Sequence, residues 1–167
     1  MNYTLEGYNY LFILLLCKFI ILFNLFFEEL NFVINFRTTH KALIERLKIE
    51  ATLKTPLILM DPEGVLKIQG RSIPEDASLF YERVVKWIEE YIKLGKKTTR
   101  FDLHFEYLNS GTSKYVLQML KILKELPLDG HQLIVNWFYE GGDDDILERG
   151  EYYSSILDLK INLIETE

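Results

Sequence analysis

The sequence predicts an α/β domain, a mixed and mostly parallel sheet with an N-terminal hairpin and about three helices lying mainly on one face. Three observations carry this. Phe101, Leu103, Phe105 and Tyr107 alternate with Asp102, His104 and Glu106, the two-residue period of a strand with one buried and one polar face. Directly after it, Val116, Leu117, Leu120, Leu123 and Leu126 recur at helical spacing among Lys, Gln and Met. The same strand-then-helix alternation repeats on either side, and units of this kind close through right-handed crossovers into parallel sheets.

Each element follows from local chemistry. Leu57-Ile58-Leu59-Met60 and Val65-Leu66-Lys67-Ile68 flank Asp61-Pro62-Glu63-Gly64, a turn with proline preset at its second position, so this is a hairpin. Gly70 to Asp76 is a loop into a helix start, with Asp76 or Ser78 as the cap. Phe80, Val84, Trp87, Ile88, Tyr91 and Ile92 then form one apolar face, and Gly95 stops the helix. The strand from Phe101 and a helix from near Thr112 come next, ending about Pro127, Asp129 and Gly130. Leu133 to Tyr139 is a further strand, turned by Glu140-Gly141-Gly142. Asp143, Asp144 and Asp145 open an acidic helix start before Ile146, Leu147, Tyr153 and Leu157, and Ile161 to Ile164 is a short last strand.

The first stretch is of another kind. From Tyr8 to Phe27 only Asn9, Lys18 and Asn24 interrupt an apolar run long enough to cross a bilayer. Residues 1–44 are therefore set apart as a hydrophobic N-terminal extension, and residues 45–167 as the domain proper. The extension reads as a membrane anchor with Arg37 and Lys41 on the cytoplasmic side, or as a non-native leader with the Phe, Leu, Ile, Asn, Tyr and Lys bias of translated AT-rich sequence. A cleaved signal peptide lacks its basic start and its small-residue cleavage site.

Composition limits the function. One cysteine, Cys17, and three scattered histidines, His40, His104 and His131, offer neither a disulfide nor a zinc ligand set, so no metal or cofactor is expected. The net charge is −6, and residues 1–44 carry three basic and three acidic residues, which leaves all the negative charge on the domain. A phosphate backbone is repelled, which argues against nucleic acid as a partner.

Chemistry concentrates at the strand–helix joint, Asn109-Ser110-Gly111-Thr112-Ser113-Lys114. Unpaired N–H groups and the positive end of the helix dipole meet three hydroxyls there. One hydroxyl suffices to cap a helix; three around a glycine also suit phosphorylation, which would add about −1.5 to −2 charge. Asp102, His104 and Glu106 share a strand face from which a small enzyme's acid–base site could be drawn, although a half-solvated sheet surface or a partner-binding face explains them better, since no second shell of ligand types accompanies them. Gly141-Gly142-Asp143 matches a motif of nucleotide cyclases over three residues only, and no phosphate-cradling loop or serine elbow accompanies it.

Pro74-Glu75-Asp76-Ala77, the Tyr107-Leu108-Asn109-Ser110 joint with Lys114, Val135-Asn136-Trp137-Phe138-Tyr139 and Asn162-Leu163-Ile164-Glu165, in this order, resemble the SiaC family of bacterial regulatory phosphoproteins over about Lys48 to Glu165. The resemblance implies a STAS-like fold, like that of anti-sigma-factor antagonists, and a non-enzymatic partner switch in the cytoplasm, or on the inner membrane if the anchor is real. In such a switch a serine/threonine kinase phosphorylates the hydroxyl after the joint asparagine, which falls on Ser110, with Thr112 and Ser113 as alternates, and a PP2C-type phosphatase reverses it. The unmodified form binds and activates a diguanylate cyclase, which places the chain in cyclic-di-GMP signalling. The docking surface then surrounds Asn109 to Lys114, where a phosphate would add charge to an already acidic domain. The other classes open to the sequence are the small enzyme above and a membrane-tethered structural protein.

Overall fold

The computed structural model describes residues 44–126 and 130–167, together with Phe19, Phe23 and Glu28. The chain divides into two units, Met1–Leu43 and Ile44–Glu167. In the first, the three described residues are helical and the Phe19 and Phe23 rings stack with centroids 6.4 Å apart. The apolar run from Tyr8 to Phe27 otherwise lies outside the described residues, as do Pro127 and Asp129 at the expected helix end. Among the described residues no helix is long and apolar enough to cross a membrane.

The second unit is built on one six-stranded sheet: β1 (Leu47–Ile49), β2 (Leu57–Met60), β3 (Val65–Ser72), β4 (Thr98–Leu108), β5 (Gln132–Glu140) and β6 (Ile161–Thr166). The strands lie in sequence order, antiparallel from β1 to β3 and parallel from β3 to β6. Three helices make the parallel crossovers: α1 (Ala77–Tyr91, extended by a 3-10 turn Ile92–Leu94), α2 (Ser110–Lys124) and α3 (Asp144–Leu157). Right-handed crossovers that all step in the same direction deposit every helix on the same side of the sheet. Burial agrees with this: Ile58, Met60, Leu66, Ile68, Phe101, Leu103, Val135 and Trp137 are fully buried, whereas Leu59, Lys67, Gln69, Asp102, His104, Asn136 and Phe138 on the other face are half-buried.

Local chemistry explains the connections. In the β2–β3 turn the Gly64 N–H donates to the Asp61 carbonyl (2.9 Å) and the Glu63 N–H to the Asp61 side chain (2.9 Å). The Glu63 N–H, with the Arg46 guanidinium, holds the Asp61 carboxyl below the usual carboxylate range against the opposing effect of burial. Gly64 has φ +102°, and a Cβ there would stand 2.5 Å from the Thr98 carbonyl oxygen, so glycine alone lets the turn meet β4. Asp76 caps α1 by accepting from the Leu79 N–H (2.9 Å), and Gly95, at φ +58°, ends the 3-10 turn.

Four features depart from the sequence reading. β1 is a strand that three residues are too short to announce by periodicity. In α1 the face toward the core includes Tyr81 and Val85, while Phe80, Trp87 and Ile92 are only partly covered, because the helix packs against both the sheet and α2. Helix α2 starts at Ser110, two residues before Thr112. Tyr107 does not continue the buried row of Phe105: Gly70 pairs with Phe105 and Arg71 with Tyr107, so Glu106 is an extra residue in β4. This bulge inverts the alternation, burying Leu108 and leaving Tyr107 49% exposed beneath the Arg71 guanidinium, 5.5 Å from the ring centre.

Candidate functional site

The joint between β4 and α2 is held from three sides. The Asn109 N–H donates to the Ser72 carbonyl at the end of β3 (3.1 Å), which fixes where the chain leaves the sheet. Asn109 is extended, with ψ 172°, and its side-chain oxygen accepts the Thr112 N–H at 2.8 Å. Asparagine therefore caps α2, a role the sequence assigned to one of the hydroxyls; an extended asparagine places its oxygen over the third helical N–H without help from a serine.

The three hydroxyls occupy different environments. Thr112 is fully buried: its Oγ1 donates to the Ser72 carbonyl (3.2 Å) and shares a hydrogen bond with Ser72 Oγ (2.8 Å), which in turn meets the Tyr81 hydroxyl (2.7 Å). Burial pushes the Tyr81 phenol up to about 12, only partly offset by its hydroxyl partners. Ser113 is half-buried; its Oγ donates to the Asn109 carbonyl (3.0 Å) and accepts from Arg149 Nη1 (2.7 Å). Ser110 is exposed, the first residue of α2.

Neighbouring side chains shape the surface. Gly111 packs where a Cβ would lie 3.2 Å from Ala77 Cβ, so the first turns of α1 and α2 touch. Lys114 is exposed, its ammonium 6.0 Å from the Tyr115 ring centre, and Tyr115 stacks on Tyr81 at 5.7 Å. From α3, the Tyr153 hydroxyl donates to the Ser113 carbonyl (3.2 Å), and burial raises its pKa against the opposing influence of Ser113 and Arg149. Leu79, 75% exposed, follows in the first turn of α1. The domain is acidic on average, and at the joint the cations Arg71, Lys114 and Arg149 stand on elements that also carry Asp76 and Glu106.

Asp102, His104 and Glu106 do not converge on a common point. The Asp102 carboxylate accepts from Asn136 Nδ2 (2.8 Å) and pairs with Arg100 (3.2 Å), Asn136 Oδ1 accepts from Asn162 (3.0 Å), His104 lies against Phe138, and Glu106 stands in the bulge. These bonds form a polar ladder across three strands. Among the described residues no group of three His, Cys, Asp or Glu side chains could hold a metal. The structure adds Ser72, Tyr81, Arg149 and Tyr153 to the site. Each lies far from the joint in sequence, and only the fold brings them there.

The second unit is thus a small one-sided α/β sandwich with an exposed hydroxyl at the start of α2, and its class, a regulatory domain, follows from its family. The family described as SiaC family regulatory phosphoprotein matches residues 49–166, and the chain belongs to that family. An uncharacterized protein of Pseudomonas aeruginosa (strain UCBPP-PA14) is 30% identical over 108 residues, covering 64% of this chain and 86% of its own length. Solved structures share the fold. The crystal structure of the diguanylate cyclase SiaD in complex with its activator SiaC from Pseudomonas aeruginosa gives a TM-score of 0.67 at 26% identity, covering 72% of this chain and 99% of the other. Apo-SiaC from the same organism gives 0.63 at 27% identity, covering 74% and 99%.

Proposed function

We propose that this protein is a phosphorylation-controlled partner switch without catalytic activity of its own, working in the cytoplasm. Its unmodified form binds and activates a diguanylate cyclase, as SiaC is named the activator of SiaD. A serine/threonine kinase transfers the γ-phosphoryl group of ATP to Ser110 Oγ, releasing ADP and the hydroxyl proton. A PP2C-type phosphatase hydrolyses the ester, returning the hydroxyl and inorganic phosphate. The supporting observation is the sorting of the hydroxyls: Ser110 is exposed at the helix mouth, while Thr112 is buried and Ser113 is engaged with Asn109 and Arg149. The docking surface surrounds the joint from Asn109 to Lys114, presenting Ser110 and Lys114 with the accessible parts of Asn109, Gly111 and Ser113 above the buried Thr112, and the regulatory unit is residues 45–167, with residues 1–44 an extension outside it.

A phosphate at the first helical position gains first-turn N–H donors and so costs the fold little, yet it changes the charge and shape that a docked partner meets. The test uses the full chain and a diguanylate cyclase from the same cell. Ser110→Ala should bind irrespective of kinase treatment, and Ser110→Asp should bind at least tenfold more weakly. Equal affinities for the two variants would refute the assignment of Ser110. Mass spectrometry of the purified protein, with its N-terminus mapped, reads both the modified residue and the status of residues 1–44.

A further inference from the structure

Arg149 stands in an electrostatically unsuitable place. Its guanidinium reaches the first turn of α2, where the helix dipole is positive and anions, not cations, are stabilised. It is held there by a neutral hydroxyl, Ser113 Oγ, at 2.7 Å and lies beside the Tyr153 phenol. Among the described residues no carboxylate pairs with it. Its Nε is buried and has no hydrogen-bond partner. A cation with a desolvated, unused N–H beside a helix N-terminus is a mismatch that a dianion in the same turn would relieve.

Ser110 supplies that position. It lies three residues before Ser113 on α2, and side chains at this spacing are neighbours on a helix surface, about 5–6 Å apart at Cβ. Building on the reading that Ser110 is the modified residue, we infer that Arg149 is the phosphate receptor of the switch. The phosphoryl group on Ser110 is gripped by the guanidinium from α3 together with the first N–H groups of α2. Arginine suits this because its planar fork meets two phosphate oxygens at once, whereas Lys114, exposed and flexible, offers a point charge. Phosphorylation then transfers Arg149 from Ser113 to the phosphate. The signal reaches α3 as well as α2, so the modified and unmodified forms differ in how two helices are tied together, not only in surface charge.

The test installs phosphoserine at position 110 of the full chain during translation, so no kinase is needed, and follows the phosphate by 31P NMR against pH. The charged groups on the elements that meet there are Arg71 on β3, Glu106 on β4, Asp76 at the start of α1, Lys114 on α2 and Arg149 on α3, with the Tyr153 hydroxyl. Receipt by Arg149 holds the second phosphate pKa below its ordinary value near 6, and Arg149→Gln raises it by about 0.5–1 unit. Arg149→Lys, a control for loss of packing, recovers part of that shift, and Lys114→Gln moves it less than Arg149→Gln does. In the unsubstituted chain a 15N-resolved Arg149 Nε–H signal shifts on phosphorylation. An unchanged phosphate pKa in Arg149→Gln, or an unmoved Nε signal, would overturn the inference and leave the Ser110 reading standing. That reading is tested separately by the Ala and Asp variants.

Discussion

Ser72 Oγ lies 2.8 Å from Thr112 Oγ1 although forty residues separate them, and neither side chain reaches solvent. With the Tyr81 hydroxyl they form a buried chain joining the end of β3, the core side of α1 and the first turn of α2. Buried polar groups are tolerated only when paired, so each member depends on the others. Thr112→Val keeps the shape and removes the hydroxyl, and should destabilise the fold by about 1–3 kcal/mol in urea unfolding. Phosphosite mapping should find Thr112 unmodified, because no kinase reaches a fully buried oxygen in the folded domain.

The Asn109 cap should be separable from the docking surface. Asn109→Ala removes the acceptor for the Thr112 N–H and should cost about 1 kcal/mol, while Asn109→Asp, an equally good cap, should cost less. Hydrogen exchange at the Thr112 amide should quicken in the alanine variant and stay slow in the aspartate variant.

Gly150 is a packing glycine in mid-helix. A Cβ there would stand 2.7 Å from Trp137 Cδ1 and 2.8 Å from Leu163 Cδ2, and the indole is pinned by its N–H to the Ile146 carbonyl (2.9 Å). Overpacking typically costs 1–3 kcal/mol and alanine returns about 1 in helix propensity. Gly150→Ala should therefore lower stability by about 1 kcal/mol, whereas an exposed mid-helix glycine would gain from the same change; thermal melts distinguish the two signs.

Alkaline stability should carry the mark of Tyr81. Its folded pKa, about 12, exceeds the ordinary value of 10.0, so the folded state holds the proton more tightly. The associated stability is complete below pH 10 and is lost as pH rises toward 12, up to about 3 kcal/mol. The difference in unfolding free energy between the unsubstituted chain and Tyr81→Phe, measured at pH 8 and at pH 11, should shrink at the higher pH. A constant difference would contradict the assigned shift.

Much of the fold is legible because its periodicities are local. Phe101 to Phe105 and Val116 to Leu126 each carry their period within a few residues, and Asp61-Pro62-Glu63-Gly64 and Gly95 mark turns by backbone chemistry alone. β1 is not legible, since three residues cannot show a period, and neither is the Glu106 bulge, which exists only relative to the partner strand β3. The joint from Asn109 to Lys114 is legible as a hydroxyl-rich helix start, but the rank of its hydroxyls is not. That rank depends on Ser72 and Arg149, which approach from forty residues before Thr112 and thirty-six after Ser113.

The surplus residue in β4 makes strand and helix meet half a period out of step. Without Glu106 the strand would keep its two-residue rhythm with Tyr107 still outward and Leu108 still inward opposite Ser72, whereas a one-residue deletion inside the paired run Arg100 to His104 would turn part of the buried row toward the other face. Removing Glu106 should therefore be tolerated better than removing any single residue from Arg100 to His104, where every position is matched on both neighbouring strands.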